Sequence, residues 1–250
     1  MISVIMPAYN NEHCILQAVE SVVNQIYKQW ELIIIDDMST DNTYDAAKKI
    51  SDSDHRIKVL RNTSNQGVGK TRNIGVSEAS GEWIAFLDSD DMWTPDKLEK
   101  QVALVSKNPN IKITFTGSSF ISESGEKKEY VLHVPEKITR KELLKQNVIS
   151  CSSVMAKKDL LVRYPMSDNY SVHEDFAAWL SILCEEEYAY GIDEPLLIYR
   201  LSTKSKSGNK FKAARMNWNT YRNMGLGILE STYYMACYTY NGFKKYGNLR

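Results

Sequence analysis

The chain has 250 residues, 43% apolar and 25% charged, long enough to bury a substantial interior as one large domain or a core with an appendage. Lysine plus arginine equals aspartate plus glutamate at 31 each, so no global field selects nucleic acid, and charge-based recognition has to be local. The four cysteines, Cys14, Cys151, Cys184 and Cys237, form no CxxC pair or disulfide framework, which argues against zinc and fits a reducing cytoplasm.

In chain order, residues 2–7 (ISVIMP) read as a short buried strand that starts almost at the first residue, so no secretory signal is expected. Ile15, Leu16, Val19, Val22, Val23 and Ile26 recur at helical spacing. Leu32–Ile35 is a second buried strand, ended by Asp36-Asp37. A helix from Thr40 or Asp41 carries Ala46, Ala47 and Ile50, and 57–60 (IKVL) forms a third strand. A helix from about Gly69 to Ala79 leads into strand 82–87, and Thr94-Pro95 supplies an N-cap and first-turn proline for a helix through Val105. Strand and helix alternate, which predicts an α/β fold with a mostly parallel sheet covered on both faces.

After residue 110 the rhythm changes. Residues 111–134 read as strands joined by a turn at 123–126, followed by a helix begun by the capping box Thr139 to Glu142. Strand-like segments at 150–156 and 196–201 bracket a helix from about Glu174 to Glu185. From about Lys212 the tail is helical and rich in Tyr and Met. Its longest weakly charged stretch, 223–243, is broken by Glu230 and scattered polar residues, so no bilayer span is expected.

In open α/β sheets, ligands bind outside the carboxyl ends of the strands. Those ends carry Pro7-Ala8-Tyr9-Asn10, Asp36-Asp37 and Asp88-Ser89-Asp90. "PAYNNE" after the first strand lacks G-x-G-x-x-G, which argues against a dinucleotide site, and Gly69-Lys70-Thr71 lacks the first glycine of a P-loop, since Ser64 stands there. "FLDSDDMW" (86–93) places three carboxylates within four positions, where they repel one another unless a cation joins them. An acidic turn capping the next helix is the alternative. Glu174-Asp175 opens a helix, where the helix dipole alone favours acids.

Taken together, "SVIMPAYN" (3–10), "ELIIIDDMSTDNT" (31–43), "NQGVGKTRNIG" (65–75), "FLDSDDMW" (86–93) and "HEDF" (173–176) resemble the family 2 glycosyltransferases of the GT-A fold, over roughly residues 1–205. The chain looks further like bacterial enzymes that build surface polysaccharides of the teichuronic acid type. The resemblance implies an inverting, metal-dependent transferase moving a sugar from a nucleotide donor, UDP-linked by expectation, to a cell-surface or lipid-linked glycan. It divides the chain into a nucleotide-sugar-binding half (1–110), an acceptor-binding half (111–205) and a helical extension (206–250).

By the same resemblance Asp88-Ser89-Asp90 is the DxD motif, with Asp90 and Asp88 holding Mn²⁺ or Mg²⁺ and Asp91 behind them. Pro7, Ala8 and Tyr9 meet the base, Asp36 and Asp37 the uracil edge and ribose, and Arg72, with Lys70, the base or phosphate. Asp175 is the catalytic base, with Glu174 orienting the acceptor and His173 beside either partner. Arg200 stands at the head of a basic, hydroxyl-rich loop (200–207) that closes over the pyrophosphate. Simple turn, solvated-face and linker readings stand beside each of these. In the tail, Trp218, Tyr221, Ile228, Leu229, Tyr233, Ala236, Tyr240 and Phe243 form one apolar stripe, for packing on the core or a second subunit, or for peripheral attachment to the cytoplasmic face of the inner membrane with Lys244 and Lys245. The competing readings of the whole are a nucleotide-sugar-binding protein without catalysis and a nucleotidyltransferase.

Overall fold

The computed structural model describes residues 1–202 and 210–246, with the side chains of 210 and 243–246 excepted. Four strands, β1 (Ile2–Ala8), β2 (Trp30–Asp36), β3 (Ile57–Arg61) and β4 (Trp83–Phe86), alternate with three helices, α1 (Ile15–Val23), α2 (Thr43–Ser51) and α3 (Val68–Glu78). The first two crossovers carry the chain outward from β1 to β2 and β3, and the third crosses back to place β4 on the other side of β1, so β3, β2, β1 and β4 lie side by side and parallel.

Both faces of this sheet are buried, and alternation along each strand divides its side chains between them. Ile5, Ile33, Ile35 and Phe86 enter one core cluster, while Val4, Met6, Leu32 and Ile34 enter the other. Helix α3 lies so close to β1 and β2 that a Cβ at Gly75 would overlap Ile5 and meet Ile35 Cδ1 at 2.8 Å. Only a residue without a side chain fits there.

The second half extends the sheet. It adds β5 (Met92–Trp93), α4 (Lys97–Lys107), β6 (Ile113–Ile121), β7 (Lys127–Leu132), β8 (Lys137–Ile138), α5 (Arg140–Lys145), β9 (Met155–Lys157), α6 (Lys158–Arg163), α7 (Glu174–Glu185) and β10 (Ala189–Arg200). Among the described residues the order is β3-β2-β1-β4-β9-β6-β10-β5, with β7 on β6 and β8 on β10. Strand β9 runs antiparallel to β4 and β6, so the sheet is mostly, not wholly, parallel. Two helices end the chain, α8 (Lys210–Asn223) and α9 (Ile228–Tyr246), and they pack on each other and on the α5 side of the core.

Several boundaries differ from the sequence reading, each for a local reason. Helix α2 starts at Thr43 because the Asp41 carboxylate accepts the Thr43 N–H at 3.0 Å and closes a turn first. Thr94-Pro95 does not cap α4: Pro95 is held outside it by Ile26 N–H donating to its carbonyl at 2.8 Å, and the helix begins at Lys97 behind Asp96. The segment expected as strand 150–156 is a 3₁₀ turn at Cys151–Ser153 followed by the short β9. Strand β10 begins at Ala189, well before the expected 196, because its register on β6 slips between Ile192 and Leu197, around Pro195, which has no N–H to donate. No helix among the described residues is long and apolar enough to cross a membrane.

Candidate active site

The carboxyl ends of β1, β2 and β4 meet, and two of the turns that leave them hold non-glycine residues in left-handed backbone: Asn10 with φ 52° and Met38 with φ 65°. Such conformations cost about 1–3 kcal/mol each and persist where the surroundings fix them. The fixing groups are visible. Asn10 N–H donates to Ser39 Oγ at 3.0 Å, and Asn10 Oδ1 accepts the Thr40 N–H at 2.9 Å, lacing the β1 turn to the β2 turn.

At the end of β1, Pro7 and Ala8 are buried within the strand and Tyr9 stands 47% exposed beside them. Of the three, only Tyr9 has an exposed side chain. At the end of β2, Asp36 is fully buried, accepts the Ser39 N–H at 3.2 Å and is bridged by Arg61 Nε at 3.1 Å. Asp37 accepts Asn62 Nδ2 at 2.7 Å, Gln66 N–H at 2.8 Å and Gly67 N–H at 2.8 Å. Three donors therefore fill three of its four lone-pair positions, and the loop 62–67 is wrapped around it.

Asp88, Ser89, Asp90 and Asp91 follow β4 in a turn that is tied down from three directions. Asp88 N–H donates to Ser152 Oγ at 3.1 Å, Asn11 Nδ2 donates to Ser89 Oγ at 2.7 Å, and Arg200 N–H donates to Asp91 Oδ1 at 3.0 Å. The Arg200 guanidinium bonds the Asp90 carbonyl at 3.0 Å and Gln17 Oε1 at 2.6 Å. Arg200 thus clamps the acidic turn at the end of β10, where the sequence reading had it reaching over a pyrophosphate; residues 203–207 of that expected loop lie outside the described residues.

Arg72 differs from expectation in the same way. It is 4% exposed on α3, with Nη2 on Asp88 Oδ1 at 2.5 Å and Nη1 on Glu174 Oε1 at 3.3 Å. A buried guanidinium has to be paired, and two carboxylates meet that need. Burial opposes its charge, yet Asp88 and the neighbouring acids hold its pKa well above the usual arginine value. Lys70, two residues earlier and about half a turn round the helix, is exposed. His173 is committed to α8: its N–H donates to Thr220 Oγ1 at 3.0 Å and its Nε2 lies 3.3 Å from the Ala213 carbonyl.

Asp88, Asp90, Asp91, Glu174 and Asp175 face two arginines, Arg72 and Arg200, which leaves the site short of positive charge. Burial, then Asp88, pushes Asp90 up to about 6. Burial and Asp90 push Asp91 well above the carboxylate range, and its Oδ2 is buried with no hydrogen-bond partner. Asp175 is raised by burial and by Glu174, with Arg72 pulling the other way. Hard oxygens with unneutralised charge at a strand end suit Mg²⁺ or Mn²⁺, which take one or two carboxylates and fill the remaining positions with water and phosphate oxygens. Among the described residues no group of three or more His, Cys, Asp or Glu side chains is placed to hold a metal ion.

A small pocket between the 66–70 and 167–174 segments is lined by Gln66, Gly67, Lys70, Asn169, Tyr170 and Glu174. Tyr170 OH donates to the Gln66 carbonyl at 2.8 Å, and a Cβ on Gly67 would meet its ring at 2.5 Å. Sequence reasoning missed Tyr170, Ser152 and Gln17, which come from other segments that no spacing marks, and Asn11, which lies in the turn after β1 but whose bond to Ser89 only the fold reveals.

The family model for glycosyl transferase family 2 matches residues 3–162. The chain belongs to this family. It is 38% identical to TuaG of Bacillus subtilis (strain 168), a glycosyltransferase assigned to teichuronic acid biosynthesis, over 98% of this chain and 97% of that one. It is also 38% identical to WfgD of Escherichia coli, named a UDP-Glc:alpha-D-GlcNAc-diphosphoundecaprenol beta-1,3-glucosyltransferase, over 98% and 95% of the two chains. Among solved structures, TarS 1-349 of S. aureus in complex with UDP-GlcNAc superposes with a TM-score of 0.74 at 19% identity, covering 97% of this chain and 72% of that one. The mannosyltransferase PcManGT from Pyrobaculum calidifontis, in complex with GDP-Man and Mn²⁺, gives 0.71 at 16% identity over 94% and 69%. The fold is therefore GT-A, and the chain is a family 2 glycosyltransferase.

Proposed function

We propose that the protein is an inverting, metal-dependent glycosyltransferase that moves a sugar from a UDP donor to a lipid-linked or cell-surface glycan. The observation that carries this reading is the charge deficit at the end of β4, where Asp88, Asp90 and Asp91 lie beside Glu174 and Asp175 with Arg72 alone bridging the two groups and Arg200 bonded to the acidic turn. WfgD takes a UDP-linked sugar and a diphosphoundecaprenol acceptor, and TarS binds UDP-GlcNAc, which supports both donor and acceptor classes.

In this reading residues 1–110 receive the donor and 111–205 the acceptor. Tyr9 stacks on the base, and the fourth lone-pair position of Asp37 accepts the uracil N3–H, which cytosine lacks. Asp90 and Asp88 would hold the divalent ion, which would supply neutralising charge to the diphosphate leaving group. Arg72 and Arg200 act from behind, fixing the carboxylates in place before the donor arrives.

Asp175 receives the acceptor hydroxyl's proton as that oxygen attacks the anomeric carbon, from the side opposite the leaving group. Its raised pKa makes it a stronger base than an ordinary carboxylate. The adjacent Glu174 carboxylate raises that pKa further, against the pull of Arg72, which Glu174 shares with Asp88. The test is to incubate the protein with UDP-sugars, Mn²⁺ and a diphosphate-lipid-linked GlcNAc acceptor, and to read the anomer of the product by NMR. A product of inverted configuration supports the reading. Retention of configuration, or no transfer from any nucleotide sugar, contradicts it.

A further inference from the structure

Among the described residues, five of the twelve large apolar side chains most exposed to solvent, Phe211, Ile228, Leu229, Tyr233 and Tyr240, lie on the final helix pair. Tyr221, Leu226 and Tyr234 turn inward into the same core cluster, so the opposite faces of α8 and α9 point away from the body. On α9 the outward row is Leu229, Tyr233 and Tyr240, at 88%, 53% and 74% exposure. On α8, Phe211 is 92% exposed and is followed one turn later by exposed Arg215.

Charge is distributed unevenly as well. The chain as a whole balances at 31 against 31, yet the segment from α8 through α9 carries six basic residues against one acid, Glu230. A row of leucine, phenylalanine and tyrosine, set in an excess of positive charge on helices that are too polar to span, has the composition of a face that lies in the headgroup layer of an anionic bilayer. Tyrosine suits that depth because one end of its ring is apolar and the other hydrogen-bonds.

The helix pair is also coupled to the catalytic carboxylates. Thr220 on α8 receives the N–H of His173, the residue preceding Glu174-Asp175, and Asn219 Nδ2 donates to the Ser171 carbonyl at 3.0 Å. A surface that seats α8 on lipid therefore sits beside the segment that positions the base. We propose that the outward face of α8 and α9 docks the enzyme on an anionic membrane surface and holds Asp175 toward an acceptor whose diphosphate is anchored there. The inference rests on the lipid-linked acceptor reading given above.

The test is vesicle flotation of the full chain with phosphatidylglycerol–phosphatidylcholine and pure phosphatidylcholine vesicles. Wild type should float with the anionic vesicles and far less with the neutral ones. The triple variant Leu229→Ser, Tyr233→Ser, Tyr240→Ser should lose at least about tenfold in partitioning, because several buried apolar groups leave the headgroup layer. Arg215→Gln should lose about fivefold on anionic vesicles alone, the expected share of one juxtamembrane cation. UDP binding by thermal shift, measured on the same samples, reports the donor site separately: loss of flotation with UDP binding intact concerns the surface only. Failure of wild type to float on either vesicle overturns the proposal. So does light scattering that shows a stable dimer which the triple variant dissociates, since a second copy would then cover this face.

Discussion

Arg72 joins the two acidic centres of the site: one guanidinium nitrogen holds Asp88 at 2.5 Å and the other holds Glu174 at 3.3 Å, 102 positions apart in the chain from Arg72 itself. The acidic turn after β4 and the first turn of α7 are thus fixed relative to each other by a single buried cation.

Arg72→Met should destabilise the protein by about 3–5 kcal/mol, because it leaves two carboxylates facing one another without their shared counter-charge. Arg72→Lys should restore only part of this, since one ammonium cannot reproduce a planar fork that meets two carboxylates at once. Chemical denaturation of the three proteins checks the order wild type, Lys, Met. Equal midpoints would show that the bridge contributes nothing to the fold.

Asp175→Asn should lower kcat by about 10²–10⁴-fold, the range expected on removing a general base, while leaving UDP affinity within about twofold. The substitution keeps shape and its Oδ1 still accepts the Phe176 N–H, so the helix start survives. Loss of UDP binding in parallel with turnover would place Asp175 in donor binding instead.

The ligand-free protein should lose stability as pH rises through about 6. Asp90 titrates near 6 in the folded chain and near 3.8 unfolded, so between these values the folded state binds the extra proton. Its ionisation then costs the fold of order 2–3 kcal/mol by pH 7, and Asp91 acts in the same direction. Melting temperatures measured from pH 5 to pH 7 should fall, and Mn²⁺ with UDP should flatten the slope by neutralising the ionised form. A melting temperature that climbs steadily across this interval contradicts the assignment.

Gly67→Ala should cost about 1–3 kcal/mol and weaken donor binding together with stability. Its φ of 79° disfavours a side chain, and the added carbon meets the Tyr170 ring. Tyr170→Phe removes the bond to the Gln66 carbonyl and should cost about 1 kcal/mol. Thermal unfolding and UDP titration of both variants check this.

How much was legible in the sequence follows from what makes each feature. The alternation of β1 to β4 with α1 to α3 was readable because apolar runs such as Leu32–Ile35 and periodic sets such as Ile15, Val19 and Val22 are set by burial, and burial leaves a pattern. The carboxylates at strand ends were readable because position along a parallel strand fixes which edge they reach. The roles of the arginines were not. Arg72 and Arg200 looked like ligand contacts because cations in a phosphate-binding family invite that reading, whereas their partners, Glu174 for one and Gln17 for the other, lie 102 and 183 positions away. The slip in β10 around Pro195 hid its first half for a similar reason, since pairing partners are a tertiary property.

The measurement that tests the central claim most directly is calorimetric titration of UDP into the wild-type protein with Mn²⁺, with chelator, and into Asp90→Asn with Mn²⁺. UDP should bind in the first case and at least about tenfold more weakly in the other two, because hard-oxygen ligation of the ion by Asp90 carries the diphosphate. Undiminished UDP affinity in chelator, or in the Asn variant, would contradict the account.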